Sequence, residues 1–213
     1  MQNYKILSLG YNCCVKKYID TIAKKGPTNL FDYIGSSMWA INKLFENDFQ
    51  DLFDINMYKN MEIIPNYNVI TNEKYYFRFL HDLKTMDNFK KFKESYKRRI
   101  IRFEEELNNK NKILFIRLEE PRQDRIIYDQ YKEYFQKNEL EYLKDFSTII
   151  KTKIPKLNFK IIFISETFET SILEEHNILI LKKNNEVVNW DNCMLIFKKL
   201  FEENKEIIHK FII

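Results

Sequence analysis

Cys13 stands three residues after a glycine, at the head of a stretch with helical spacing, and that setting suits a nucleophile. A thiol at a helix N-terminus feels the positive end of the helix dipole, which favours the thiolate. Gly10 permits the sharp turn that exposes the sulfur, and backbone N–H groups near residues 10–13 are placed to hold an oxyanion. Cys14 shares the location but points elsewhere on the helix, so at most one of the two faces a common partner. His81 follows the apolar run 74–80 and immediately precedes Asp82. An imidazole at the carboxyl end of a strand suits the general base of a thiol, with Asp82, or Asp32 in the loop 28–35, to orient its ring. Arg117 closes the run 112–118 and suits a carboxylate or phosphate on a substrate. Each of these residues also has a plainer reading: a buried cysteine acting as a small hydrophobe, a histidine capping a strand end, an arginine paired with Glu119 or Glu120. His176 precedes a strand among acids and His209 lies in the C-terminal tail, so both are weaker candidates.

The elements that must position these residues follow from hydrophobic patterning. Residues 4–9 read as a short buried strand, then a turn at Gly10 and a helix on which Val15, Tyr18, Ile19 and Ile22 share a face, ended by Gly26-Pro27. Ser36 or Ser37 caps a second helix through residues 38–47. Residues 49–73 lack a clear period and read as an irregular excursion, and 74–80 read as a strand. The clearest helix spans about 87–109, with Phe89, Phe92, Tyr96, Ile100, Phe103 and Leu107 on one stripe. Strands are predicted at 112–118 (closed by Pro121), 159–165 and 177–182, with helices at 130–153 and 190–204. On the first of these helices Tyr134, Phe135, Tyr142, Phe146 and Ile149 form the apolar side. Continuous apolar strands alternating with helices predict one α/β domain over residues 1–213, with a mostly parallel central sheet flanked by helices.

Composition excludes several classes. The chain has 213 residues, 45% of them hydrophobic, which is enough for a core without disulfides. Three cysteines, two of them adjacent, make no disulfide framework and predict a reducing, cytoplasmic setting. Three separated histidines and no CxxC or HExxH give no zinc pattern. Three glycines in total leave no phosphate loop, dinucleotide fingerprint or GxSxG elbow. No signal segment or run of about 20 apolar residues is present. A net charge of +4 is too small for a dedicated nucleic-acid binder. The basic residues at 90–102 are followed at once by three glutamates, as on a solvated helix face.

Six pieces of the chain together carry a resemblance. SLGYNC (8–13), FDY (31–33), NDF (47–49), HD (81–82), YKRRIIRF (96–103) and ILFIR (113–117) occur in the order seen in a family described as papain-like cysteine peptidases. The resemblance spans roughly the first 120 residues, and Tyr33 stands where that family usually has Trp. It implies Cys13 as nucleophile, His81 as base and Asp82 as orienting acid. Asn12, Asp32 and Arg117 are expected, from the residues themselves, to line the substrate site. No metal or cofactor is implied. The activity implied is that of a cysteine-nucleophile hydrolase or acyl transferase acting on a peptide or amide. An acylated glycan is the alternative substrate, because family members lie near glycan-building enzymes. A papain-like layout and the strand–turn–nucleophile–helix layout of other α/β hydrolases, including the SGNH type with Cys in place of Ser, both remain open. A non-catalytic interaction module with structural Cys and His is the reading from a different class.

Overall fold

A computed structural model of the protein describes residues 3–23, 25–64, 67–79, 81–109, 111–120, 134, 136–184 and 186–213. A five-stranded sheet forms its centre, built from β1 (Tyr4–Ser8), β5 (Lys112–Leu118), β6 (Phe159–Ser165), β8 (Ile178–Lys182) and the short β7 (Ser171–Leu173). The spatial order is β1-β5-β6-β8-β7, parallel throughout except for β7. The mostly parallel α/β architecture expected from the sequence is therefore the one observed. The pleat of the sheet sorts the apolar runs between two faces. Ile113, Phe115, Ile161 and Phe163 face one way, and Leu114, Ile116, Ile162 and Ile164 the other. Both sets are buried, and that is why these strands read as unbroken hydrophobic runs rather than alternating ones.

Helices cover both faces. α2 (Met38–Glu46), α3 (Phe89–Asn108) and α4 (Glu139–Lys153) pack on the first face, and α1 (Cys13–Ile22), α5 (Cys193–Glu203) and α6 (Lys205–Ile212) on the second. Local chemistry sets their starts. Ser37 Oγ accepts from the Ala40 N–H at 3.2 Å to open α2, and Asn138 and Glu141 form a reciprocal capping box for α4. The helix predicted at 190–204 is α5, which ends at Asn204, and α6 follows beyond the predicted span. The helix predicted at 130–153 starts only at Glu139, where the Asn138 capping box sets its first turn, and residues 136–138 are not helical; residues 130–133, Pro121 and Phe135 lie outside the described residues.

The excursion at 49–73 is more ordered than its sequence suggests. β2 (Tyr58–Ile64), β3 (Tyr67–Asn72) and β4 (Phe77–Phe79) form a separate antiparallel sheet in that order. Lysine, asparagine and glutamate interrupt β2, which hides its period. The predicted strand 74–80 shrinks to β4, since residues 73–76 form a turn with Tyr76 at a positive φ of 56°. An aromatic cluster seats this side sheet on α3. Tyr58 meets Phe89 at 5.1 Å between ring centroids, and Phe79 meets Phe92 at 4.9 Å and Tyr96 at 5.7 Å. Tyr58, Ile70, Phe77 and Phe79 thereby join the same apolar cluster as Phe103 and Phe115 beneath the main sheet.

Candidate functional site

The Cys13 thiol is delivered by a strained turn at the carboxyl end of β1. Ser8 Oγ accepts from the Gly10 N–H at 2.9 Å, and Gly10 and Tyr11 both take positive φ, at 77° and 70°. Gly10 is required twice over: its backbone is left-handed, and a Cβ there would sit 2.6 Å from Ser36 Oγ. The turn ends at Asn12, whose carboxamide oxygen accepts from the Cys14 N–H at 3.0 Å and caps α1. Cys13 is thus the first residue of a helix with no acid in its first turn, and it is half-buried. Gly10→Ala is expected to lower stability by about 1–3 kcal/mol, read as a reduced urea midpoint, and to slow Cys13 alkylation as the turn shifts.

His81 arrives by a different route from the one expected. It follows β4 of the antiparallel side sheet, not a strand of the parallel sheet, so the carboxyl-edge argument does not place it. Its position comes from two ties. Gly35 and Arg78 exchange a pair of backbone hydrogen bonds, each 3.0 Å, which joins the end of the 28–35 loop to β4. Asp82 is clamped to α3 by both terminal nitrogens of Arg99, at 2.7 and 2.8 Å, and by the Tyr96 hydroxyl at 2.9 Å. Between these ties the imidazole is exposed. It packs edge-on against Tyr33, with 5.7 Å between centroids, and its side chain and charge favour the Cys13 thiolate.

The electrostatics separate the two adjacent cysteines. Cys13 is lowered to about 6, chiefly by a hydrogen bond from the Cys14 thiol; burial opposes the shift, and the hydrogen bond and charge of His81 add to it. Cys14 is buried and its ionisation is pushed up, first because it donates to Cys13, then by burial and by neighbouring Cys193. Of the pair, Cys13 is the one whose surroundings favour the thiolate, and Cys14 the one whose surroundings oppose it.

The other expected site residues have structural partners. Asp82 is spent on Arg99 and Tyr96, so it fixes the backbone beside His81; among the described residues it accepts no hydrogen bond from the ring. Asp32 is buried. It accepts from the Asn29 N–H at 2.7 Å and pairs with Lys16 at 3.4 Å, tying the loop to α1, and burial raises its carboxyl pKa against those two contacts. Arg117 needs correcting as a substrate ligand. It is fully buried, and its partner is neither Glu119 nor Glu120 but Glu139 at the start of α4, reached from Nε at 2.9 Å. It also donates to the Leu9 carbonyl at 2.8 Å and the Ser36 carbonyl at 2.7 Å. Glu119 instead holds Ser165 Oγ and the Glu166 and Thr167 N–H groups, and Glu120 pairs with Arg78. Sequence reasoning missed the place of Tyr33 beside His81 and the effect of Cys14 on the Cys13 thiol. The FDY element and the CC pair carried both signals.

Among the described residues no group of three or more His, Cys, Asp or Glu side chains could hold a metal ion. None of the described helices is long and apolar enough to cross a membrane. Residues 4–168 match the model of a family described as "Putative papain-like cysteine peptidase (DUF1796)". The chain belongs to this family. The family span runs from β1 through the end of β6 and takes in Cys13, Tyr33, His81 and Arg117, while α5 and α6 lie beyond it. No curated protein and no solved structure matches the chain.

Proposed function

We propose that this protein is a cysteine-nucleophile hydrolase or acyl transferase with Cys13 as nucleophile and His81 as its proton partner. The observation that carries the reading is a half-buried thiol at a helix N-terminus, lowered to about 6, with the exposed imidazole of His81 among the groups that favour its thiolate. The strand–turn–helix delivery of Cys13 supports the nucleophile-elbow layout of α/β hydrolases over a papain-like layout, so the family's label describes the Cys–His chemistry better than the fold.

In this reading the Cys13 proton passes to His81, and the thiolate attacks the substrate carbonyl carbon to form a C–S bond. The carbonyl electron pair moves to oxygen, held by the Cys13 N–H at the head of α1, since the Gly10 and Cys14 N–H groups are engaged by Ser8 and Asn12. As the tetrahedral centre collapses, the leaving group departs with the proton from His81. Water or an acceptor hydroxyl then attacks the thioester, giving its proton to His81, and the thiolate is released. Tyr33 holds the imidazole edge-on, and Asp82 fixes its backbone. A peptide, a simple amide and an acylated glycan all present the carbonyl that this sequence needs.

The test is acyl-enzyme trapping. The protein is incubated with p-nitrophenyl acetate and mapped by mass spectrometry after acid quench. An acetyl group on the Cys13 peptide, absent in Cys13→Ala and slow to clear in His81→Ala, is the expected result. Wild-type protein without label on Cys13, or with equal label on Cys193, would overturn the assignment.

A further inference from the structure

A cavity of about 280 Å³ opens beside the imidazole, lined by His81, Lys84, Asn88, Lys91 and Ser95 over a floor of Phe92 and Tyr96. Its charge is one-sided. Among the described residues the one carboxylate in its wall, Asp82, is engaged by Arg99 and Tyr96 and so is neutralised where it stands. Lys84 and Lys91 are exposed, and neither is paired with a carboxylate among the described residues. Asn88 and Ser95 add hydrogen-bonding groups at the rim. The volume suits one small polar group rather than a whole peptide or sugar chain. Lysine ammonium groups are compact point charges that accept a carboxylate or a phosphate equally well.

We propose that this cavity is a subsite for an anionic group of the Cys13 substrate, a carboxylate or a phosphate, seated by Lys84 and Lys91 while the carbonyl lies between Cys13 and His81. The inference rests on the reading of Cys13 and His81 as the reacting pair. It narrows the substrate class to acyl compounds that carry a negative charge a short distance from the scissile carbonyl. Surface charge of this kind acts through local concentration and orientation, so it raises the rate of capture and weakens with salt.

The experiment compares three chloroacetamides of equal length at low ionic strength, ending in a carboxylate, a phosphate monoester or a neutral carboxamide. The readout is the ratio of Cys13 alkylation rates, anionic over neutral. The ratio is expected to be about fivefold to tenfold in the wild type and to fall toward one at high salt or in the Lys84→Gln/Lys91→Gln double variant. A charge-matched control, Lys198→Gln/Lys199→Gln on exposed positions of α5, is expected to retain it. The anionic tail giving the larger ratio identifies the group. A wild-type ratio of one or less, or a ratio lost equally in both double variants, overturns the subsite. Rapid labelling by the neutral probe in that case leaves the Cys13–His81 reading intact. If the neutral probe labels Cys13 no faster than a peptide thiol, that reading fails and the subsite falls with it.

Discussion

Alkylation of Cys13 by iodoacetamide is expected to titrate near pH 6, far below the free-thiol value of about 8.5. The sign is that of a depressed acid: the thiolate persists at neutral pH and reactivity is lost as pH falls through about 6. Two variants divide the cause. The Cys14 thiol is the largest contributor, so Cys14→Ala should move the titration up further than His81→Ala does, and Cys14→Ser, which keeps a donor, should restore much of the shift. If removal of either partner returns Cys13 to about 8.5, the thiolate fraction at pH 7 drops roughly thirtyfold, and the rate of labelling with it. Cys193 is fully buried and serves as an internal slow control in the same peptide map. A wild-type profile that rises only above pH 8, indifferent to both substitutions, would remove the electrostatic basis for Cys13 as nucleophile.

The sequence disclosed the parallel sheet because that sheet is buried on both faces. Residues 112–118 and 159–165 can be continuous apolar runs only if helices cover both sides, and the observed β5 and β6 have those same bounds. The α3 stripe was legible for the complementary reason: one face is buried and the other carries charge. The side sheet was not legible, because the polar residues of β2 erase its period and much of its order comes from contact with α3. His81 shows how a site residue can be found by an argument that does not hold. A strand end was expected before it and a strand end is there, but in another sheet, and its approach to Cys13 depends on the Gly35–Arg78 bridge and the Asp82–Arg99 clamp. Those are contacts across the fold, and neither local spacing nor periodicity encodes them. Arg117 carries the converse lesson. An arginine at a strand end looks available for substrate, and only the approach of the α4 N-terminus reveals that it is enclosed.

Replacing Arg117 by Met is expected to be the most damaging single change outside the nucleophile. The guanidinium and the Glu139 carboxylate are both buried, and Glu139 Oε2 already has no hydrogen-bond partner. Removing the cation strands a desolvated carboxylate, a loss of about 3–5 kcal/mol. Adding Glu139→Gln removes the buried charge, so the double variant is expected to recover much of that stability, with the difference read from urea midpoints in a double-mutant cycle. Recovery of stability need not restore the site. Arg117 also holds the Leu9 carbonyl just before the Gly10 turn and the Ser36 carbonyl just before α2, and Ser36 Oγ is the atom a Cβ at Gly10 would strike. The refolded double variant should therefore alkylate Cys13 more slowly than wild type, with every catalytic candidate still present. That combination tests the positioning role against the substrate-ligand role that the burial of this arginine opposes. A substrate ligand would leave the urea midpoint and Cys13 reactivity unchanged and weaken only substrate capture. A positioning residue changes the first two together, because the strand edge that presents Cys13 and the helix start that holds Glu139 are joined through this one side chain.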